Sequence, residues 1–372
     1  MKHIVLLLSI TAILMAGCNQ QTENKSESQQ PNILFILSDD HSVPYLGCYD
    51  NPDMNTPNLD QLAAEGIRYN RAYTTAPQCV LSRAGIMTGR STLDVRMTRF
   101  TAPLHRDIVA YPEKLREAGY YTGICGRGYH LDGNLKKDLP VESEVLQKYQ
   151  LQTFEDRVDF LHHGRDRNNH KVFTEFLEQV PEGKPFFLQL NYSDPHRKFT
   201  APDFAPDPDE ISVTGTLPDI DFVREDLAQH IGEINRMDMH VGLVLDELEK
   251  RGLKENTLVV FIGDNGSALL RGKGTLYECG VHVPLLACWP GHIKPGLVSD
   301  ELISGEDIGP TFIEVANGET PEEMTGISFE NTFQDEKYSV RDYVFAVRGT
   351  HASGPPIGTV PFDLSRVVIG KR

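Results

Sequence analysis

Short apolar runs alternate with segments of helical periodicity along most of the chain. The run Asn32–Ser38, NILFILS, is almost wholly apolar, which is typical of a strand buried on both faces of a sheet. The next segment has Pro57 at its first helical position and ends at Gly66, so it predicts a helix capped by Thr56. Further helices are predicted at 111–119, 170–180, 221–251 and 306–318, and further strands at 120–126, 185–192, 257–266 and 283–289.

This alternation predicts an α/β fold in which helices sandwich a central, mostly parallel mixed sheet. Polar side chains cluster where three of the apolar runs end. Asp39 and Asp40 follow the first run, Asp194 and His196 follow another, and the pair 264–265 follows a third. In open α/β sheets, ligands bind outside the carboxyl ends of the strands. The three clusters therefore predict one shared site.

The oxygen donors at these strand ends suit a hard cation. Asp39, Asp40 and Asp264 offer carboxylates and Asn265 offers an amide oxygen, a set that suits Ca²⁺ or Mg²⁺ better than a soft metal. A single Asp at a strand end is more often a helix cap or a turn residue. Two adjacent carboxylates repel each other unless something neutralises them, and this favours a metal site.

Five cationic or titratable side chains are expected in loops beside the same strand ends. Each alone could be a solvated or capping residue. Together they supply the donors that a tetrahedral anion requires in sulfuryl or phosphoryl transfer. These residues are Arg83, Arg127, His130, His196 and Lys273.

The overall charge restricts the classes of partner. The 372 residues carry a formal net charge of −17, which argues against nucleic acid as a partner and against general attraction to anionic surfaces. An anionic substrate would have to be bound by locally clustered cations. Six cysteines are present without CxxC or zinc-like spacing, and Cys125 and Cys288 have the apolar neighbours of core residues.

The N-terminal segment predicts export. Residues 1–18 combine Lys2, an apolar stretch too short for a comfortable membrane span, and small residues before Cys18. Residues 14–18, LMAGC, resemble a bacterial lipobox, so we expect a lipid anchor at Cys18 and an exported protein, periplasmic or at the cell surface. Ordinary cleavage and secretion is the alternative. Residues 19–30 form a polar tether.

Six segments in order resemble the sulfatase family of the alkaline-phosphatase superfamily, from about residue 31 to about residue 329. They include two Asp-containing metal motifs, a cysteine signature, a basic loop with a histidine, an Asp-Pro-His loop and a lysine segment. The segments are PNILFILSDDH (31–41), CVLSRAGIMTGR (79–90), GYYTGICGRGYHLDG (119–133), YSDPHRKF (192–199), IGDNG (262–266) and RGKGTLYECGVHVPLLACWPG (271–291).

The resemblance implies that a maturation enzyme oxidises Cys79 to formylglycine, whose hydrated form attacks sulfur with one hydroxyl and releases sulfate through the other. It also implies one Ca²⁺ that polarises the sulfate. The implied metal ligands are Asp39, Asp40, Asp264, Asn265 and the modified Cys79. The resemblance assigns Arg83 to hold formylglycine, His130 to assist breakdown of the sulfated intermediate, and His196 and Lys273 to bind sulfate oxygens and support the departing alcohol.

Three positions depart from the family pattern. Leu81 stands where the maturation signal usually has Pro or Ala. Arg127 stands where the family has Lys, with one extra residue before His130, and Arg and Lys are not equivalent. Asn265 stands where many relatives have His.

The expected function is hydrolysis of a sulfate ester on a sulfated carbohydrate. A phosphomonoesterase or phosphodiesterase of the same superfamily is the first alternative, and a catalytically silent lipoprotein that binds sulfated glycans is the second. We expect a catalytic domain at 31–335. Residues 336–372 are expected to begin an antiparallel subdomain with strands at Tyr343–Arg348 and 366–369, too few to complete it. This predicts a fragment of a longer protein, with a naturally short family member as the alternative.

Overall fold

The computed structural model describes residues 30–97, 103–127, 129–132, 140–164, 169–213, 215–349 and 365–371. The predicted export signal and all but the last residue of the predicted tether lie outside these ranges. No helix within them combines the length and the apolar character that crossing a membrane would need.

The described residues contain the following strands and helices. The strands are β1 Asn32–Ser38, β2 Ile67–Tyr69, β3 Ala72–Tyr73, β4 Tyr121–Cys125, β5 Phe160–His162, β6 Phe186–Asn191, β7 Thr257–Gly263, β8 Leu285–Cys288, β9 Leu297–Ser299, β10 Ile303–Ser304, β11 Tyr343–Arg348 and β12 Ser365–Gly370. The α-helices are α1 Pro57–Ala64, α2 Cys79–Thr88, α3 Tyr111–Glu117, α4 Tyr129–Asp132, α5 Pro140–Lys148, α6 His170–Leu177, α7 Asp221–Lys250, α8 Glu278–Val281 and α9 Ile308–Val315.

Eight of these strands form the central sheet, in the order β5-β4-β6-β1-β7-β8-β2-β9. β1 lies between β6 and β7 and is parallel to both, so that Leu34 pairs with Leu188 on one side and with Val259 on the other. β8 runs antiparallel to β7 and to β2. The predicted mostly parallel mixed sheet is therefore confirmed.

The apolar run of β1 is explained by a core on each face of the sheet. Ile33, Phe35 and Leu37 belong to one hydrophobic cluster, which also takes side chains from α2, α3 and α9. Leu34 and Ile36 belong to the opposite cluster, built with α1, α6 and α7. Successive side chains of a strand point to opposite faces, so a strand covered on both sides must be apolar at every position.

The predicted helices and long strands are present, with two corrections. Thr56 does not cap α1 through its side chain, because its hydroxyl donates to Asp60 and accepts from the backbone N–H of Gly47 instead. The sequence pattern also did not predict α2. Every residue of Cys79–Thr88 is buried, so this helix has no polar face that would reveal its period.

The C-terminal strands β11 and β12 form an antiparallel pair. Val344 and Ala346 on the inner face join a small cluster with Tyr73 and Leu302. The outer face is exposed and carries Tyr343, Phe345 and Val368. The domain boundary at residue 335 remains a prediction, while the predicted core positions of Cys125 and Cys288 are confirmed.

Candidate active site

The polar clusters at the strand ends meet at one edge of the sheet. Asp39 and Asp40 follow β1, and Asp264 and Asn265 follow the adjacent β7. The backbone N–H of Asp40 donates to Asp264 Oδ1 at 3.0 Å, and Asn265 Nδ2 donates to Asp40 Oδ1 at 2.9 Å. All four side chains are at most 1% exposed. Asp40 has a left-handed backbone with φ of 67°, a strained conformation typical of functional sites.

Arg83 holds two of these carboxylates together. Its Nε donates to Asp264 Oδ2 at 2.8 Å and its Nη2 to Asp39 Oδ2 at 3.2 Å. Its Nη1 donates to Asn191 Oδ1 at 2.8 Å, at the end of β6. The expectation of a loop position is wrong, because Arg83 lies inside α2 and is buried. A helix gives the guanidinium a fixed direction, which a loop side chain would lack.

Cys79 is the first residue of α2 and is 2% exposed. Its sulfur lies close enough to oxygen of Asp39 and nitrogen of His130 for all three donor atoms to fall within 4.8 Å of one another. Burial raises the pKa of the Cys79 thiol well above its usual range, and the negative charge of Asp39 raises it further. The thiolate is the reactive form of cysteine, so an unmodified Cys79 is a poor nucleophile here.

Arg127 reaches the site although it replaces the family lysine. Its Nη1 forms a salt bridge with Asp39 and lies 2.9 Å from His130 Nε2, and its Nε donates to Ser193 Oγ at 3.2 Å. The His130 N–H donates to the Arg127 carbonyl at 2.9 Å, so the two residues stay in contact despite the extra residue between them. Gly126 lets the backbone before Arg127 pack closely against the end of β6, because a Cβ at residue 126 would lie 2.4 Å from the Asn191 carbonyl oxygen.

His130 lies in α4 rather than in a loop, which corrects the expectation. Its Nδ1 is 3.8 Å from Asp39 Oδ2. Burial lowers the pKa of His130 well below its usual value, and Asp39 only partly opposes this effect. The ring is therefore neutral in this state of the site.

Lys273 and His196 approach the carboxylates from two loops. Lys273 Nζ lies 2.6 Å from Asp40 Oδ1 and 3.9 Å from Asp39 Oδ1. His196 Nε2 lies 4.0 Å from Asp40 Oδ2. Burial alone would lower the pKa of Lys273, but the surrounding negative groups, of which Asp40 has the largest effect, together outweigh it and hold the pKa above its usual value. The ammonium is therefore positively charged at neutral pH.

The oxygen cluster fits a hard divalent cation. Within the described part of the chain, Asp39 Oδ1 and Asn265 Oδ1 are buried acceptors without a hydrogen-bond partner. Burial raises the pKa of Asp264 to about 7, and repulsion from Asp39 adds to this effect. Donor atoms of Asp39, Asp40 and His196 also lie within 4.8 Å of one another. A site that crowds buried carboxylates and leaves oxygens unpaired suits Ca²⁺, which prefers such ligands.

An open cavity of about 680 Å³ lies above these residues. Cys79, His130, His196 and Lys273 line it. The lining also contains residues that the sequence did not single out: Gln78, Arg197, Ala268, Leu269, Gly274, Thr275 and Arg348. Asn191 and Ser193, which hold Arg83 and Arg127, were also missed. Asn191 ends β6 and Ser193 follows two residues later. Their position at the carboxyl end of a predicted strand was the sequence signal that could have identified them.

The fold and the site together define a member of the alkaline-phosphatase-like class of α/β proteins. A cluster of buried carboxylates lies at the carboxyl edge of the sheet, with a cysteine and several cations around it. The chain belongs to the sulfatase family: the family model described as Sulfatase matches residues 31–318.

Several proteins are similar to this chain. An ulvan-active sulfatase of Formosa agariphila is 28% identical over 362 residues, which cover 92% of this chain and 68% of that protein. Human N-sulphoglucosamine sulphohydrolase is 31% identical over 313 residues, which cover 76% of this chain and 60% of that protein. The chain thus spans about two thirds or less of the length of these relatives. The structure of a phosphonate monoester hydrolase from Silicibacter pomeroyi has the same fold, with a TM-score of 0.72 at 21% identity over 86% of this chain and 79% of that one.

Proposed function

We propose that the protein hydrolyses sulfate esters of a sulfated carbohydrate, using Cys79 converted to formylglycine and one bound Ca²⁺. The observation that carries this proposal is the placement of Cys79. Its sulfur lies beside the Asp39 carboxylate and the His130 ring, and its buried thiol has a raised pKa, so it is poorly suited to thiolate chemistry. A hydroxyl at the same point would be a good ligand for a hard cation, whereas a thiol would not.

The modified residue and the cation would supply the central chemistry. Hydrated formylglycine at position 79 would provide the attacking hydroxyl, and Ca²⁺ held by Asp39, Asp40, Asp264 and Asn265 would polarise the sulfate. Arg83 serves this centre by fixing Asp39 and Asp264 in place. Its predicted contact with residue 79 stays part of the proposal.

The surrounding residues would bind the sulfate and act as proton donors and acceptors. The charged Lys273 would bind sulfate oxygens from one wall of the cavity, and His196 would donate a proton to the oxygen of the departing alcohol. The neutral His130 would accept a proton from residue 79 when the sulfated intermediate breaks down. Arg127 holds His130 through its Nη1, so it takes the part of the family lysine.

The substrate class is supported by the cavity and by the relatives. The cavity is open and much larger than a sulfate group, so it has room for a sugar that carries the ester. The net charge of −17 confines attraction for an anionic substrate to the cations around Cys79 and disfavours nucleic acid. Two of the relatives are named for carbohydrate substrates, as an ulvan-active sulfatase and an N-sulphoglucosamine sulphohydrolase.

Mass analysis of the peptide 72–83, combined with sulfate release, tests this function. We expect the aldehyde at position 79 in protein made by the native host, and turnover of 4-nitrophenyl sulfate that chelation abolishes. Leu81 makes conversion in another host less certain, so a co-expressed maturation enzyme is the control. Active protein with only a thiol at residue 79 would contradict the proposal.

The same assay separates the alternatives. The phosphonate monoester hydrolase shares the fold alone, so 4-nitrophenyl phosphate and a phosphodiester are tested beside the sulfate. A higher kcat/KM for either of them would make the protein a phosphoesterase. Failure to convert Cys79 in the native host, with binding of sulfated oligosaccharides retained, would support the silent glycan-binding protein.

We also propose that the protein is exported and is anchored to a membrane through lipid on Cys18. The support is the sequence of residues 1–18 alone, which resembles a lipoprotein signal. A Cys18→Ala variant should leave the membrane fraction. Its recovery in that fraction at the wild-type level would contradict the anchor.

A further inference from the structure

The loop that carries His196 is held to helix α7 at both of its ends. We define the His196 loop as residues 194–200, which lie between β6 and the turn at Pro202–Phe204. At its start, the Asp194 carbonyl accepts from the Asp39 N–H at 3.1 Å, so the loop is joined directly to the carboxylate cluster. Its position therefore decides where His196 stands relative to Asp40.

Arg236, on α7, makes the contacts that close this loop. Its Nε donates to Asp194 Oδ2 at 3.0 Å and its Nη2 to Asp194 Oδ1 at 2.9 Å, which is a bidentate ion pair. Its Nη1 donates to Thr200 Oγ1 at 3.0 Å, at the other end of the loop. Its Nη2 also pairs with Glu233 at 2.5 Å, and Glu233 accepts from the Thr200 N–H.

The ion pairs of Arg236 are strengthened by burial. Asp194 and Glu233 are fully buried and the Arg236 side chain is 11% exposed, so solvent screens the ion pairs little. A bidentate guanidinium–carboxylate pair also fixes the orientation of the two side chains, in addition to the distance between them. One side chain thereby fixes the backbone two residues before His196 and four residues after it.

His196 itself has few contacts that could hold it. Its Nδ1 contacts the carbonyl of Arg197 in the same loop, and its Nε2 faces Asp40 at 4.0 Å. The neighbouring Arg197 side chain pairs with Asp226 on α7 through both terminal nitrogens, with Nη1 at 2.7 Å from Asp226 Oδ1, and is not a partner of the imidazole. The imidazole therefore takes its position from the backbone of the loop.

We propose that Arg236 is a positioning residue for His196. It does not reach the cavity, and it acts by holding the loop so that His196 meets the oxygen of the departing alcohol. The inference rests on the proposed function, in which His196 protonates that oxygen. Without Arg236 the loop would lose the bidentate pair at Asp194 and the hydrogen bond at Thr200 Oγ1, and the imidazole would spend less time in reach of the leaving group.

The test compares a good and a poor leaving group. A nitrophenolate departs without protonation, whereas a sugar alkoxide needs a proton. For Arg236→Gln we expect kcat on a 6-O-sulfated glucosamine to fall by about tenfold or more, and kcat on 4-nitrophenyl sulfate to fall by less than about threefold. His196→Ala should show the same selectivity with a larger loss, on the order of a hundredfold on the sugar.

Two further variants separate positioning from general damage. In the double variant His196→Ala/Arg236→Gln, the second change should add less than about twofold, because the group that it positions is gone. Arg236→Lys should restore little, since one ammonium cannot form the bidentate pair and reach Thr200. Arg224→Gln is the matched control, because Arg224 also lies on α7 and tethers a loop, through Asp219 and the carbonyls of Pro208 and Ile211, but not at the site.

A second measurement does not depend on activity. Amide hydrogen exchange of residues 194–200 should become at least about tenfold faster in Arg236→Gln and stay unchanged in Arg224→Gln. Equal losses on both substrates, additive losses in the double variant, or unchanged exchange in the His196 loop would overturn the inference. If the wild-type protein turns over neither sulfate, the proposed function fails, and the exchange measurement still decides whether Arg236 holds the loop.

Discussion

The ammonium of Lys273 lies 2.6 Å from the carboxylate oxygen Asp40 Oδ1, in a site where both side chains are largely buried. Lys273 is thus a cation that contacts the proposed metal ligands and also lines the cavity that would hold the substrate. Its contact with the proposed metal ligands and its proposed contact with the substrate can be tested separately. Metal binding and turnover should therefore respond differently when Lys273 or Asp40 is changed.

The first prediction separates metal binding from sulfate binding. Asp40→Asn should abolish the rise in Tm that Ca²⁺ produces in wild-type protein, because it removes a buried charged ligand. Lys273→Ala should keep that rise and still lower kcat by on the order of a hundredfold, since it removes a charge that stabilises the sulfate. Thermal unfolding with and without Ca²⁺ and turnover of 4-nitrophenyl sulfate measure the two effects. Asp335→Asn, at an exposed position, is the control, and a Ca²⁺ response in Asp40→Asn would contradict the ligand assignment.

The second prediction concerns the thiol of unmodified Cys79. In protein made without a maturation enzyme, iodoacetamide at pH 8 should alkylate Cys79 at least about tenfold more slowly than Cys279, because the raised pKa and the burial of Cys79 suppress its thiolate. Peptide mass analysis at successive times gives both rates. Rapid labelling of Cys79 in folded protein would show a reactive thiolate and would remove the main argument for its conversion to an aldehyde.

The third prediction concerns Arg127. Arg127→Ala should lower kcat by on the order of a hundredfold, since it removes a cation that contacts both Asp39 and His130. Arg127→Lys should recover only part of the loss, because a lysine cannot contact His130 and Ser193 through separate nitrogens. Arg116→Ala, at an exposed position of α3, is the control. Near-normal turnover by Arg127→Ala would mean that Arg127 does not replace the family lysine.

The sequence predicted those parts of the structure that repeat a simple pattern. β1 is apolar from Ile33 to Leu37 because two cores cover it, and its carboxyl end is followed by Asp39 and Asp40. Helices with one buried face, such as α6, could be predicted from the helical spacing of their apolar residues. Parallel strands place their carboxyl ends at one edge, so the grouping of Asp39, Asp264 and His196 followed from the order of the elements.

The remaining features depend on contacts between distant segments. α2 was not predicted because its polar residues Ser82 and Arg83 are buried at the site, so the helix shows no amphipathic pattern. The short strands β2 and β9 have three residues each, too few to show alternation. Arg236 lies 42 positions from Asp194, and nothing in the sequence of α7 indicates that pairing.

The fourth prediction concerns stability in acid. His230, on α7, is fully buried against Tyr45 and Phe199, and neither ring nitrogen has a hydrogen-bond partner among the described residues. Burial lowers the pKa of His230 to about 3, and His41 and Arg197 add to this effect. The unfolded chain therefore binds this proton more readily, so stability falls as pH decreases from about 6.5 towards 3.

Between pH 7 and pH 5, the contribution of His230 to the free energy of unfolding should fall by about 2 kcal/mol. His230→Phe keeps the ring contacts and cannot take up a proton, so its loss over this range should be smaller by that amount. Urea unfolding of both proteins at the two pH values measures the difference. Parallel losses in the two proteins would show that His230 is not a source of acid sensitivity. His230→Leu provides a second variant if the larger ring disturbs packing.

The last prediction concerns Arg348, which ends β11 and lines the cavity. Gln78, next to Cys79, donates to the Gly349 carbonyl at 3.0 Å and accepts from the Gly349 N–H at 3.2 Å, so the backbone beside Arg348 is held to the start of α2. A guanidinium in the lining of the cavity suits anionic or hydroxyl groups elsewhere on a sugar. Arg348→Ala should raise KM for a sulfated oligosaccharide by about tenfold and change KM for 4-nitrophenyl sulfate by less than about threefold. Arg366→Ala, at an exposed position of β12, is the control. Equal changes in KM for both substrates would mean that Arg348 supports the sulfate site itself and does not select the sugar.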